Sequence, residues 1–329
     1  MAEIIGRNLE VGVATEYTRG VVKASAERWI KRITTNLIEK VEKKIDESQM
    51  NKMEGNQNAR IVKTEVNGSI EGNVQVDMIN WLFYNLYGTD TETAVGTGAY
   101  SHALTLAQNI IHPSLSFFIK DGATFQKSIS GCMVEDLELS FSAEDYVKFK
   151  ASIIGKQINT NATTPAYSTE YDLIGRDVTV KFASTEAGLT GAVARKIKDG
   201  NIKWSANIIK EHNVGSYVNA DFLNSELSIE GSLTGIFDDV IVKDYFTANT
   251  PVYMQIKIEG EATIGTTGKP TFTLLCNKVL IMNWERSGGN NDLVEEKYDF
   301  KAFYNTTDAK SSTVTIVNAT ATVDTPTSV

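Results

Sequence analysis

Residues Ile61–Gly72 read IVKTEVNGSIEG, and their apolar and polar members alternate. Val62, Thr64, Val66, Gly68 and Ile70 fall on one face; Lys63, Glu65, Asn67, Ser69 and Glu71 fall on the other. Successive strand side chains point to opposite faces, so the spacing predicts a half-buried strand or hairpin arm. Its last four residues, Ser69-Ile70-Glu71-Gly72, return as Ser228-Ile229-Glu230-Gly231, an offset of 228 − 69 = 159. A four-residue match arises easily by chance, so its weight depends on what surrounds it.

The surroundings recur in order. A helix-forming stretch follows each copy, Asp77–Tyr87 and then roughly Phe237–Phe246. Pro113 precedes the strand pattern SLSFFIK, and Pro251 precedes VYMQIKI. Cys132 opens a hairpin pattern, MVEDLELS returning as YVKFKASI; Cys276 opens NKVLIMNW, returning as LVEEKYDFKAFY. The series predicts two tandem β-rich domains, 1–160 and 161–329, divided within Thr160–Arg176, where NTNATTPAYST has the composition of a linker. Within the first hairpin, Met133, Leu137, Leu139 and Phe141 group against Asp136, Glu138 and Ser140, and Val147, Phe149, Ala151 and Ile153 return the apolar face. In the helix, Asp77 is expected to cap the first amides and Gly88 to end the last turn. Met78, Trp81, Leu82 and Leu86 make its buried stripe, with Phe83 and Tyr87 beside it. Leu37–Met53 stays open between helix, from the four-residue spacing of Leu37, Val41 and Ile45, and strand, from its neighbours.

Composition narrows the function. Of 329 residues, 42% are hydrophobic, enough for a real core. Lys and Arg total 32 against 41 Asp and Glu, a net charge of −9, which argues against a protein that grips nucleic acid through a basic surface. Cys132 and Cys276 form no CxxC, and His102, His112 and His212 share no ligand spacing, so no metal or other cofactor is expected. The first residues lack a secretory pattern and no apolar run reaches ~18 residues, so folding in a cytosol is expected. No phosphate-binding loop or nucleophile motif occurs. The carboxylate pairs Glu135/Asp136 and Glu144/Asp145 sit on adjacent residues that diverge on a strand, and His102 reads as a structural strand histidine. No enzyme is indicated.

Further motifs bear on identity: Val11–Gly20 (VGVATEYTRG), Glu27-Arg-Trp-Ile30, the glycine-flanked SIEG strand, Leu86-Tyr87-Gly88, Tyr100–Leu106 (YSHALTL), Gly131–Ser140 (GCMVEDLELS) and Asn291–Phe300 (NDLVEEKYDF). Their order resembles that of the tail tube proteins of long-tailed, siphovirus-like bacteriophages, over nearly the whole chain. The resemblance implies a mainly β fold: two tandem tail-tube-type β-sandwich or barrel domains with short flanking helices, whose strands join into a ring-spanning β-barrel. It implies a structural virion protein whose stacked rings form the tail tube, the conduit for genome ejection. The partners implied are further copies of the chain, a tape measure protein in the lumen before ejection, tail terminator and tail-tip proteins, and double-stranded DNA that passes without specific binding. No membrane is implied, and assembly belongs in the host bacterial cytoplasm. Single-domain relatives form hexameric rings, so two domains per chain imply a trimeric, pseudo-sixfold ring, with a hexameric ring as the alternative. The inner tube of a contractile tail, a tail-like particle and a tail-completion ring are related readings. A carbohydrate-binding or adhesin module is a distant one, since Trp29, Trp81, Trp204 and Trp284 are scattered.

On this reading the polar faces of the alternating strands meet the lumen. Glu65, Glu71, Asp136 and Glu138 are the candidates from the first repeat, and Glu226, Glu230, Glu295 and Asp299 from the second. Lys63, Lys148, Lys150, Lys297 and Lys301 are expected to share that face and make it mixed. The charged segment Glu39–Glu54, with Lys43, Lys44, Asp46 and Glu47, sits where the family projects a hairpin or loop onto the next ring. The tail Ser311–Thr322, with Val314 and Ile316, is expected to pack on a neighbouring domain or ring, so that truncation after Asn305 spares the monomer.

Overall fold

The alternating stretch is one strand of fifteen residues, from Ala59 to Asn73, with Val66 and Ile70 buried and Glu71 exposed. The computed structural model describes residues 6–31, 33–45, 53, 58–122 and 124–321. The first half contributes β1 (Leu9–Thr15), β2 (Arg28–Ile30), β3 (Ile33–Thr35), β4 (Ile38–Ile45), β5 (Ala59–Asn73), helix α1 (Val76–Tyr87), β6 (Thr91–Ala94), β7 (Tyr100–Thr105), β8 (Leu115–Asp121), β9 (Phe125–Ser142), β10 (Lys148–Gly155) and β11 (Gln157–Thr160). The second contributes β12 (Val178–Ala183), β13 (Ile197–Glu211), β14 (Asp221–Ile236), helix α2 (Ile241–Thr247), β15 (Val252–Glu259), β16 (Thr271–Ser287), β17 (Glu295–Ala302) and β18 (Ser312–Asn318). The protein is mainly β, and these strands pair antiparallel into one connected network. Leu37–Met53 resolves in favour of strand where it is described: β4 lies along β5, exposed at every position.

The register makes the internal repeat physical. In the first half β3 and β4 flank β5, followed by β10 and β9; in the second the order is β13, β14, β17, β16. Glu71 lies opposite Lys150 and Glu230 opposite Lys301, so the two SIEG copies occupy the same place in their sheets. The apolar row beside them reads Ile33, Gly72, Phe149, Leu139 in one unit and Ile202, Gly231, Phe300, Ile281 in the other. The second tetrapeptide must end in glycine: a Cβ on Gly231 would stand 2.3 Å from the Asn201 carbonyl oxygen and 2.7 Å from the Phe300 ring.

Two seams join the halves. Asp136–Ser142 of β9 pairs with Asp199–Ser205 of β13, which runs the two units into one long sheet. The C-terminal strand β18 lies between β16 and β7, with Val314 opposite Leu274 and Leu104. Helix α1 is buried at all twelve positions. The expected one-sided stripe is therefore an all-round core: Phe83 meets Trp204 of β13 at 4.9 Å between ring centroids and Phe272 of β16 at 5.4 Å.

Several expectations are corrected. Asp77 does not cap α1, whose N-cap position is Gln75 without a side-chain bond. Asp77 instead accepts from the Ala319 amide (3.1 Å) and the Thr320 hydroxyl (3.0 Å), and pairs with Arg28 at 2.9 Å. Gly88 does end the helix, at φ +82° with its amide on the Tyr84 carbonyl. Met133 leaves the Leu137 face, because the β9–β10 register slips between Asp136 and Val134; Val134 takes the core position and Met133 packs with Ile154 and Phe222. Val314 and Ile316, expected at contacts between rings, are fully buried in their own chain. Truncation after Asn305 is accordingly expected to damage the fold itself. Losing these two side chains alone removes about 3–6 kcal/mol of burial, against a typical total of ~5–15 kcal/mol. Circular dichroism and thermal melting check this; a truncated chain that melts like the full one contradicts it.

Candidate functional site: a charged face shared by both halves

In the long sheet, positions that alternate with the buried row all point away from the core. Following the register from edge to edge, one row of this outer face runs Thr34, Glu71, Lys150, Glu138, Lys203, Glu230, Lys301, Leu280. Between its two neutral ends the sign of the charge alternates on every strand. A second row, one pleat along, is Asn73, Lys148, Ser140, Asn201, Ser232, Asp299, Asn283. On the other side Ser69, Ser152, Asp136, Ser205 and Ser228 follow one another. Directly opposite side chains in antiparallel strands stand about 4.5–5.5 Å apart at Cβ, so each carboxylate has a cation or hydroxyl in reach.

The contacts bear this out. Lys150 Nζ is 3.8 Å from Glu71, and Lys203 Nζ is 3.4 Å from Asp136. The Ser205 hydroxyl donates to Asp136 at 2.6 Å, and the Asn201 amide to Glu138 at 3.1 Å. Lys198 pairs with Glu295, which raises the pKa of the lysine through that hydrogen bond and charge. Glu71, Asp136, Glu138, Glu230, Glu295 and Asp299 thus share one face with Lys148, Lys150, Lys297 and Lys301, while Glu226 is exposed further along β14, opposite Asn207. Glu65 differs. It is buried, and although burial pushes its carboxyl up, donors on Lys63 and Asn67, the Lys210 charge and the Asn219 amide outweigh that and hold it at about 2.

Lys198, Asn201, Lys203 and Ser205 escaped the sequence reading because β13 was not recognised, although Ile202, Trp204 and Ala206 alternate with Lys203 and Ser205 plainly enough. Of the expected inter-ring group, Lys43 and Lys44 sit in exposed β4, while Asp46 and Glu47 lie outside the described residues. His102 is a strand histidine, its Nδ1 on Asp90 at 2.7 Å and its Nε2 on the Thr320 carbonyl at 2.8 Å.

The face is built as a surface. Its clearest concavity is an open depression of about 370 Å³ lined by Thr34, Glu71, Glu138, Ser140, Lys148 and Lys150. Among the described residues no three His, Cys, Asp or Glu side chains are grouped to hold a metal ion, and no helix is long and apolar enough to cross a membrane. What the face offers is a balanced polar lining without a run of like charge. A family model described as "Phage tail tube protein" matches residues 6–302. No curated protein matches the chain.

Proposed function

Because the chain belongs to the phage tail tube protein family, we propose that it polymerises into stacked rings whose bore is the conduit for genome ejection. The observation that supports this best is the seam between β9 and β13, which joins two equivalent four-strand units edge to edge within one chain. A closed ring repeats such a seam until no edge is left open. Two units per chain make three chains the count that keeps a pseudo-sixfold barrel. The protein is a structural part of the virion tail, not an enzyme, and assembles in the cytoplasm of the host. The tape measure protein occupies the bore before ejection, and terminator and tip proteins close the tube's ends.

The charged face lines the bore, with Glu71, Asp136, Glu138, Glu226, Glu230, Glu295 and Asp299 on it and Glu65 beneath. Tight binding of DNA comes from cations that replace condensed counterions on phosphates. Here Lys150, Lys203, Lys297 and Lys301 each stand opposite a carboxylate on a neighbouring strand and Lys148 pairs with Asp145, so a passing duplex meets no uncompensated cationic row. The β4–β5 hairpin reaches the next ring. Its support is the unusual exposure of Ile38, Val41, Ile45 and Ile61 beside Lys43 and Lys44 on a two-stranded arm; its exposed ion pairs add only ~0–1 kcal/mol each.

Negative-stain microscopy of the concentrated protein tests the proposal: three-copy rings and tubes are expected, and a chain that stays monomeric at every concentration contradicts it. A sheath around tubes in the virion assigns the protein to a contractile tail. For the bore, Glu71→Lys with Glu230→Lys is expected to leave tubes intact but make them retain DNA at low salt and release it at high salt. Tubes of this variant that ignore DNA at low salt place the two residues elsewhere.

A further inference from the structure

The tube reading leaves open which edges meet between copies, and the repeat supplies the missing register. Inside the chain, the first unit ends on β9 and the second begins on β13, with Leu139 opposite Ile202 and Glu138 opposite Lys203. The matched rows of the two units equate Leu139 with Ile281 and Glu138 with Leu280, through Phe149/Phe300 and Lys150/Lys301. They equate Ile202 with Ile33 and Lys203 with Thr34, through Gly231/Gly72 and Glu230/Glu71. The long sheet therefore begins on β3 with the counterpart of β13 and ends on β16 with the counterpart of β9.

Both outer edges are open. β3 pairs with β5 on one side and with no strand on the other among the described residues. β16 divides its second edge as β9 does. The N-terminal part of β9 takes β8 at Cys132, and its Asp136–Ser142 part takes β13. The N-terminal part of β16 takes β15 as far as Val279 and β18 from Thr271 to Cys276, but from Leu280 to Ser287 it pairs, among the described residues, only with β17. Met282, on this open stretch, is 54% exposed. An unpaired edge with an apolar residue is a template for another strand.

Resting on the tube reading, we infer that a second copy of this chain fills this gap: β16 of one copy pairs antiparallel with β3 of the next, with Ile281 opposite Ile33 and Leu280 opposite Thr34. The apolar row then runs unbroken around the ring, Ile-Gly-Phe-Leu followed by Ile-Gly-Phe-Ile. The charged row is interrupted once per chain, where Leu280 meets Thr34 instead of a carboxylate meeting a lysine. The seam between copies is thus neutral where the seam inside the chain is ionic.

Thr34→Cys with Leu280→Cys in the full chain tests the register, since directly opposite strand residues bring Cβ atoms near disulfide range. The native Cys132 and Cys276 are fully buried and do not compete. Oxidation of the assembled protein is expected to give covalent multimers on a non-reducing gel. Each single variant, and the off-register pair Thr34→Cys with Glu285→Cys, is expected to stay monomeric. Assembly without cross-linking, or equal cross-linking of the off-register pair, overturns the register and leaves the tube reading standing. Failure of the unaltered protein to form rings or tubes overturns both. A second pair covers a cysteine variant that does not assemble. Thr34→Lys with Leu280→Glu copies the in-chain seam and is expected to assemble like the parent. Thr34→Glu with Leu280→Glu sets like charges opposite each other and is expected to need about fivefold more protein. Equal assembly of these two variants overturns the inference.

Discussion

Arg28→Met is expected to cost about 3–5 kcal/mol of folding stability. The Arg28 side chain is 9% exposed; its Nη2 lies 2.9 Å from Asp77 and its Nε 3.0 Å from Glu170, whose side chains are 0% and 3% exposed. One guanidinium therefore serves two buried carboxyls, and the same group of residues holds the chain's C-terminal stretch through Ala319 and Thr320. Methionine fills much of the volume but leaves Asp77 without a countercharge. The loss depends on pH through Glu170. Burial pushes its carboxyl up, Arg28 draws it down and Asp77 pushes it up again, to about 8 overall. The folded state therefore keeps a proton that the unfolded chain releases above its ordinary value of 4.5. This contribution is complete below that value and is lost as pH rises through about 8, a decline on the order of a few kcal/mol. The deficit of Arg28→Met is expected to be larger at pH 9 than at pH 5, since both carboxyls then carry charge. Glu170→Gln is expected to flatten the decline in the otherwise unaltered chain. Urea unfolding at several pH values reads both; parallel curves for parent and Glu170→Gln contradict the proton's role.

Trp204→Ala is expected to cost a similar ~3–5 kcal/mol, the range for deleting a buried large aromatic. Trp204 is fully buried on β13, edge-on to Phe83 with planes at 82°. Its Nε1 donates at 3.2 Å to the Tyr87 hydroxyl, which lies 2.8 Å from Ser312 on β18. One side chain of the second repeat thus holds the helix of the first and strand β18. The alanine variant leaves a cavity and strips the buried Tyr87 hydroxyl of a donor. It is expected to lower a single cooperative transition, because the aromatic cluster belongs to both halves. Trp204→Phe keeps the packing without the hydrogen bond and is expected to lose about half as much. A loss below ~1 kcal/mol, or two separate melting steps, contradicts this account.

Much of this architecture is legible in the chain because it depends on period and repetition. The alternation of Ile61–Gly72 specifies a strand and its buried face, since Val66 and Ile70 have no other face to occupy. The recurrence of SIEG, the helix, the proline-led strand and the cysteine-led hairpin points to two similar sets of strands, and the pairing of Glu71 with Lys150 and of Glu230 with Lys301 at like places follows from it. Most of the charged face follows too, because side chains two apart on a strand share a side.

What alternation leaves open is every fact that depends on which edge meets which. No local pattern in β9 or β13 announces that Glu138 will stand opposite Lys203, because strand pairing joins residues far apart in sequence through backbone groups that every residue carries. The burial of Val314 and Ile316 is of the same kind: the weak alternation of the tail suits an arm bound to a neighbour as well as a strand between β16 and β7. Asp77 shows the limit at a single residue. Its position at the start of α1 suits a helix cap, but Arg28 converges on it from 49 positions before, and Ala319 and Thr320 from 242 and 243 positions after. A buried carboxylate is held by its full set of partners, and only the folded chain brings that set together.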